Sequence, residues 1–419
     1  MEVHAGDTIS TGSLNELLDK SRENIFNTRL FNLVTVEVEH SSGFDRITIV
    51  VSVIERWYIW PIPFFQISDR NLNAWWESRD FSRLTYGVDL TFYNMRGRNE
   101  TLKLIAHFGF NQSYGLSYKI PYINRKQTIG IGFGATVDIN REVPVYNEQN
   151  QPVYYKNGNQ TPLQLIFAYA DLIIRPNYFT THTLSIEYNR YYLSDDVLSI
   201  PGFSLADQKL QEFFNLCYMI KNDHRDVHFY PLQGYYFDIQ VNLSVPNTLV
   251  ENTWVKTYVR KYWKFAERLY FAAGFIGQAS LGSNHPYYLA RGVGYGRDFI
   301  RGYEVYVVDG QHFALLKTNL KYAIIPLTIY NIRWIRTTKF NTVPYALYAN
   351  CFFDMGYVYA PDELFSTNPY LQNDLQNKLM AGAGLGIDFT TYYDIVIRLE
   401  GSINLMAKPG FAVHLIAPI

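Results

Sequence analysis

Phe237-Asp238-Ile239-Gln240-Val241-Asn242-Leu243-Ser244-Val245 alternates apolar and polar residues without a break. Strand side chains point to opposite faces in turn, so Phe237, Ile239, Val241, Leu243 and Val245 share one face. Asp238, Gln240, Asn242 and Ser244 share the other. Outward from this stretch the pattern recurs from Leu84 to the last residue. Strands are expected near 84–95, 100–110, 113–122, 128–138, 164–175, 182–193, 211–222, 235–245, 254–265, 268–279, 286–296, 312–323, 345–358, 381–390, 395–404 and 411–419. One such strand suits a soluble sandwich. Sixteen, with polar residues on the enclosed face, predict an antiparallel transmembrane β-barrel: even in number, and each long enough to cross the bilayer tilted.

Composition agrees. The chain is 48% hydrophobic, yet no stretch approaches the roughly 18 apolar residues that a membrane helix needs. Aromatic residues reach 17%, mostly 35 Tyr and 28 Phe, which fits the girdles at the two interfaces of a barrel. A net charge of -1 and the lack of a basic run give no reason to expect nucleic acid. Cys217 and Cys351 are too few and too far apart for a disulfide framework. Cys351 falls on the apolar face of its strand, as a lipid-facing thiol would. Met1 to Ser10 holds no apolar signal-peptide core. Since such a barrel must first be exported, the N-terminus is expected to be incomplete.

Residues 1–58 read as a small α/β module, 59–80 as a linker rich in Pro and aromatics, and 81–419 as the barrel. Ser13 and Glu16 fit a capping box, with Leu14, Leu18, Ser21 and Ile25 on one stripe of a helix to about Thr28. Strands 33–39 and 46–54 follow, joined by a hairpin loop at 41–45. A helix and one ribbon make too small a core to stand alone.

Three features exceed a generic barrel. Gly382, Gly384 and Gly386 form an inward stripe, and so do Gly130, Gly132 and Gly134. Such stripes mark close approach by another backbone, or, more plainly, local curvature. The connection at about 296–311 carries Phe299-Ile300-Arg301-Gly302-Tyr303-Glu304, unusually apolar for a solvated loop. Asp354, Gly356, Asp388, Arg398 and Glu400 take inward positions near the end of the chain. A guanidinium on an infolded loop can pair bidentately with one of these carboxylates; otherwise the charges simply line a wet lumen.

Ile300-Arg301-Gly302-Tyr303-Glu304 resembles the [VI]-R-G-[FY] motif in the sixth extracellular loop of the BamA superfamily of outer-membrane assembly and translocation proteins. Phe352 to Gly356 resembles that family's F-x-D-x-G strand motif. The Gly384-Leu385-Gly386 stretch and Ile397-Arg398-Leu399-Glu400 occupy matching places in the last hairpins. The N-terminal piece is similar to the second half of a POTRA domain, including Asn27-Thr28-Arg29-Leu30-Phe31-Asn32. The resemblance implies that Arg301 contacts the inner wall, with Asp354 as favoured partner, Gly302 at a tight turn and Tyr303 against the wall. It also implies a weakly paired seam between a first strand bearing Leu84, Tyr86, Val88 and Leu90 and a last strand bearing Phe411, Val413 and Leu415. Two departures stand out: the POTRA-like part is partial, and the final residue is Ile419 rather than an aromatic.

The resulting expectation is an outer-membrane assembly factor of a Gram-negative bacterium, with its POTRA-like part in the periplasm. Its partners would be the bilayer, unfolded client proteins and accessory lipoproteins. It would need neither cofactor nor metal, nor any catalytic residue. The rival reading is a polypeptide-secretion pore or gated channel with a closed seam. No G-x-S-x-G is present. His224, Asp226 and His228 could share one side of a strand and ligate a metal, but a solvated turn on the extracellular side is the ordinary explanation. Asp354 and Glu400 as an acid pair are opposed by Arg398 and Arg301 nearby.

Overall fold

The structure, a computed structural model, describes residues 3–4, 6–40, 47–67, 83–156, 161–204, 208–245, 252–281, 286–289, 291–360 and 373–415. Helix α1 (Thr11–Phe26) and the ribbon of β1 (Phe31–His40) and β2 (Ile47–Glu55) make the N-terminal module. The helix begins earlier than the capping box predicts, with Ser10 as N-cap. Ser13 instead donates to the Ser10 carbonyl, and Glu16 turns to Lys20, one helical turn on, at 2.7 Å. The hairpin loop expected at 41–45 lies outside the described residues.

Sixteen strands then form one antiparallel sheet. They are β3 (Ile59–Ile67), β4 (Leu84–Met95), β5 (Glu100–Gly109), β6 (Gln112–Ile120) and β7 (Ile129–Asn140), then, beyond a hairpin of β8 (Glu142–Glu148) and β9 (Gln151–Lys156), β10 (Leu163–Ile174), β11 (Thr180–Leu193), β12 (Leu210–Asp223) and β13 (Gly234–Ser244). The remainder are β14 (Thr253–Ala266), β15 (Leu269–Leu281), β16 (His312–Asn331), β17 (Thr342–Tyr359), β18 (Leu379–Thr391), β19 (Ile395–Asn404) and β20 (Pro409–His414). Every sheet neighbour is the next sheet strand in sequence, as in an up-and-down barrel.

The count matches the expectation through two compensating corrections. Residues 59–67, read as linker, are the first strand of the sheet and pair with β4. Ile59-Trp60-Pro61-Ile62-Pro63-Phe64-Phe65 is apolar at every position and contains two prolines, so it lacks the alternation that marked the other strands. Residues 286–296, read as a strand, make only the isolated bridge Val293–Val308 and belong to the long loop before β16. Omitting β3 also inverted the direction of the strands up to β15. The turn carrying His224, Asp226 and His228 therefore lies at the rim beside the N-terminal module, not at the opposite rim.

The burial pattern is the reverse of a soluble protein's. Ile186, Ile239, Leu243, Phe275, Leu385 and Ile387 are exposed, while Lys317, Asn319, Lys321, Asp354, Asp388, Arg398 and Glu400 are buried. Among the described residues, no helix is long and apolar enough to cross a membrane. The strands are the spanning elements.

Contacts close both rims. At the far rim, β8 and β9 fold over the mouth, where Val143 and Val145 pack with Leu193, Val197, Phe203, Tyr287 and Tyr288. At the near rim the 224–233 turn folds inward, so Tyr230 packs with Ala323, Ala346, Tyr348 and Val396. The module docks beneath it. Asn27 Nδ2 donates to the Asp226 carbonyl at 2.9 Å, and Arg56 grips Asp394 bidentately at 2.7 and 3.0 Å.

Candidate functional site: a locked loop beside an unpaired seam

The loop before β16 turns into the barrel and delivers Arg301 to the wall. Arg301 is fully buried. Its Nε and Nη2 donate to the two Asp354 oxygens at 2.8 and 2.6 Å, its backbone N–H to Asp354 Oδ2 at 3.2 Å. Nη1 donates to Asn319 Oδ1 and Glu400 Oε1, both at 3.2 Å, and Nη2 also to the Thr318 carbonyl at 3.0 Å. The guanidinium carbon sits 4.0 Å from the centre of the Phe352 ring. Planar guanidinium geometry suits this combination of a bidentate carboxylate and an aromatic face; a lysine would not reproduce it.

Around Arg301 the loop is fitted to the wall. Gly302 has φ +90°, a conformation that favours glycine, and its carbonyl accepts from Asn404 Nδ2 at 2.7 Å. Glu304 closes the turn by accepting from the Gly302 N–H at 2.9 Å. Ile300 and Tyr303 pack with Ile276, Leu315, Val358 and Met380. A Cβ at Gly382 would collide with the Arg301 carbonyl oxygen, and one at Gly356 would press into Ile300. Gly384 and Gly386 instead abut neighbouring strands and side chains of the wall. Gly132 and Gly134 face side chains of adjacent strands, Asp171, Tyr169 and Ser117, and Gly130 abuts the carbonyls of Ile120 and Pro121. One glycine stripe thus admits the loop at Gly382, and the other serves the sheet itself.

Asp388 and Arg398 form a second cluster. Arg398 Nε and Nη2 donate to Asp388 at 2.6 Å each, and Tyr230 and Asn350 donate to the same carboxylate at 2.7 Å. Glu400 lies between the clusters: Arg398 Nη1 approaches its Oε1 at 3.6 Å, and His414 of β20 its Oε2 at 3.4 Å. Phe299 of the loop stacks on His414 at 5.4 Å and lies 4.3 Å from the Lys317 ammonium. The lock therefore touches the last strand. Sequence reasoning quoted Phe299 and Phe352 within their motifs without assigning either a contact, and passed over Asn319. The polar positions Lys317, Asn319 and Lys321, spaced by two on β16, were the available signal; nothing in the sequence marked Tyr230 as a plug.

The seam differs from the expectation at one side. Leu84, Tyr86, Val88 and Leu90 lie on β4, which is paired on both edges. The first edge strand is β3, and Phe411 and Val413 lie on the last, β20, with Leu415 just beyond it. Among the described residues β3 and β20 share no backbone pairing. Register fixes which groups face the gap. Tyr93 N donates to the Tyr58 carbonyl at 2.7 Å, and bonded pairs alternate along an antiparallel ladder. Trp60, Ile62, Phe64 and Gln66 therefore bond to β4, while Ile59, Pro61, Pro63, Phe65 and Ile67 aim their backbone at the seam. Pro61 and Pro63 have no N–H to offer there. On the other side, Leu405 N donates to the Ala381 carbonyl, so Gly410, Ala412 and His414 bond to β19, and Phe411 and Val413 face the seam. Pro418, which the sequence places near the end of the last expected strand, lies outside the described residues.

The sequence-proposed metal set serves three separate ends. His224 stacks between Phe179 and Tyr235 at 3.9 and 4.7 Å, Asp226 accepts from the N–H groups of Val227 and Leu232, and His228 approaches Asp223 at 3.5 Å. Burial lowers the His228 pKa to about 4, a neutral imidazole packed under the module. Cys217 donates to Asn242 Oδ1 at 2.6 Å, and Cys351 is exposed on the outer face.

Comparison with solved structures places this architecture. BamA from Haemophilus ducreyi lacking POTRA domains 1–3 matches with a TM-score of 0.55 at 15% identity, over 99% of this chain and 78% of that one. CdiB from Escherichia coli matches with a TM-score of 0.55 at 12% identity, over 97% of this chain and 70% of that one. At these identities the likeness speaks for the fold. No curated protein matches the chain. The family model of the Omp85 superfamily domain matches residues 94–312, just over half of the sequence. With its barrel and its match together, the chain belongs to the Omp85 superfamily of outer-membrane β-barrel proteins, whose general work is polypeptide insertion or translocation.

Proposed function

We propose that this protein inserts client proteins into the outer membrane through the gap between β3 and β20. The observation that carries this reading is the unpaired seam, set beside a lumen crossed by the Arg301 loop and capped at both rims. A client barrel cannot expose unpaired strand edges to hydrocarbon, because each unsatisfied backbone group costs several kcal/mol. An open seam offers a backbone edge on which client strands can add one after another. No covalent chemistry, cofactor or metal is needed. In this reading the N-terminal module faces the periplasm, where unfolded clients and accessory lipoproteins would meet it. A closed-seam secretion pore or channel, the rival reading, fits poorly with an unpaired seam and an occupied lumen.

The test is the folding of urea-denatured barrel clients into liposomes, with and without this protein. Acceleration by the protein, reduced in Arg301→Ala, is the expected result. No acceleration, together with steady ion conductance through the same liposomes, would replace insertion with the pore.

A further inference from the structure

β16 and β17 run on where the wall stops. The ladder between β15 and β16 ends at Leu269–Tyr322, yet β16 continues nine residues further to Asn331, still paired with β17. Nine extended residues reach about 30 Å. Register shifts between Ala323 and Thr328 mark irregularities that bend the ribbon as it leaves the near rim. Its return arm is clamped along that rim. The Lys339 carbonyl accepts from Asn32 Nδ2 and from the Tyr393 hydroxyl, each at 3.1 Å, and Phe340 meets Trp57 and Tyr393 at 6.0 and 5.9 Å. Tyr393 belongs to the turn between β18 and β19, so the ribbon reaches sideways beneath β18 and stays at the level of the rim.

The two faces of the ribbon differ. Ile329 and Pro344 line a cavity shared with Phe26 and Val34 of the module and Phe229 of the infolded 224–233 turn. The opposite face, with Thr328, Tyr330, Val343 and Tyr345, continues the outward row of Cys351 and Phe353 on β17, and Tyr345 meets Phe389 of the apolar belt at 6.5 Å. At the tip Trp334 is 82% exposed, more than any other large apolar side chain among the described residues, and Tyr330 is 61% exposed. Arg333, Arg336 and Lys339 are interleaved with these aromatics, and no Asp or Glu occurs from Pro326 to Asn341. Lys339 reaches Glu55 at 3.5 Å, whereas Arg333 and Arg336 are exposed and meet no carboxylate among the described residues. An aromatic, cationic tip continuous with a lipid-facing wall complements a phospholipid surface: Trp and Tyr settle at headgroup level, and exposed cations are drawn to anionic lipid.

We propose that the projecting β16–β17 ribbon is an interfacial anchor. It lies in the headgroup layer of the leaflet on the module's side, with Tyr330 and Trp334 among the headgroups and Arg333 and Arg336 on anionic phospholipid. The anchor serves whichever polypeptide task the barrel performs. Because Lys339 and Phe340 hold Asn32 and Trp57, it also keeps the module beside the membrane.

The experiment uses the whole chain with Cys217→Ser and Cys351→Ser, in phosphatidylcholine vesicles with or without phosphatidylglycerol. A fluorophore is attached at Thr337→Cys, which is exposed beside the tip, and for reference at Glu16→Cys on the exposed face of α1 and at Leu320→Cys in the belt. A polar, uncharged nitroxide in the water on both sides of the membrane should quench position 337 about five-fold less than position 16. Lipid spin-labelled near its headgroup should quench 337 more than lipid labelled deep in its chains, the reverse of 320. Phosphatidylglycerol should strengthen the shallow quenching, and Arg333→Gln with Arg336→Gln should abolish that increase in protein whose gel mobility shows a folded barrel. Trp334→Ser should raise the quenching from water about two-fold. Equal quenching from water at 337 and 16 overturns the proposal and leaves the tip open to a protein partner. Shallow quenching that ignores phosphatidylglycerol in the native tip overturns the role given to Arg333 and Arg336.

Discussion

The wall from β15 to β19 and the seam between β20 and β3 belong to one sheet, yet they are held by opposite means. In the wall, every strand has two neighbours, and the Arg301 loop adds a bidentate pair to Asp354, a bond to Glu400 and an aromatic face at Phe352. At the seam, two edge strands face each other without a ladder, and one of them lacks donors at two consecutive seam-facing positions. The difference teaches where such a barrel can move. Buried bidentate ion pairs make one arrangement strongly preferred, whereas an unpaired edge leaves its place open to another strand. Glu400 and His414 join the two regions, so rigidity in the wall defines the position of the open edge.

The largest expected effect comes from breaking the wall. Arg301→Ala leaves Asp354 buried without its bidentate partner and Glu400 with Arg398 alone, and removing one partner of a buried pair costs about 3–5 kcal/mol. The thermal midpoint of the folded-to-unfolded gel-mobility transition should fall clearly. Arg301→Met combined with Asp354→Leu should recover part of it, and no recovery would mean that the pair is not what holds the loop. A smaller loss is expected from crowding the loop. Gly382→Val pushes into the Arg301 backbone, and overpacking of this kind costs about 1–3 kcal/mol, whereas Gly132→Ala meets only the Asp171 side chain at 3.1 Å. Equal shifts in the two variants would erase the distinction between the glycine stripes.

Weaker still is the tie between the module and the near rim. Arg56 is buried and Asp394 half-buried, so Arg56→Ala should cost about 1–2 kcal/mol, between an exposed and a fully buried pair, read as faster amide exchange across residues 11–26 while the barrel strands stay protected. Barrel exchange rising in step would show that the module and wall are one cooperative unit. The smallest effect is at the far rim. Burial raises the Asp309 carboxyl to about 7, although Tyr295 and Asn147 donate to it. A carboxyl raised above its unfolded value contributes stability at low pH that is lost as pH rises through the folded value. Exchange protection at Asn147 and Asn150 should therefore decline between about pH 4 and pH 7 and level off above that in the native protein, and stay flat in Asp309→Asn; a flat native profile would remove Asp309 from the cap.

Much of this was legible where one physical rule acted alone. The alternation of Phe237 to Val245 reports a strand with unlike faces, and repetition of that pattern gave the barrel and its apolar exterior. The motif residues Ile300, Arg301, Gly302, Tyr303 and Glu304 stood out because so many apolar residues are odd in a loop. Alternation could not find β3, whose two faces are both apolar, nor reject 286–296, whose apolar residues pack within a loop rather than a sheet. The error propagated as far as β15, because a missed strand reverses the assigned side of each turn after it until the spurious strand at 286–296 restored the count.

The sequence by itself determined the class of protein, since face-by-face alternation depends only on neighbours along the chain. It also supplied the chemical types needed for the lock, a guanidinium and inward carboxylates. Only the tertiary structure decided that Arg301 takes Asp354 and Glu400 while Asp388 goes to Arg398 and Tyr230, because those choices turn on register and on which loop enters the barrel. The seam was likewise a tertiary decision. Pro61 and Pro63 are visible in any reading of the chain, but whether their missing N–H groups face β4 or the gap depends on hydrogen-bond parity, and parity exists only once the strands have paired.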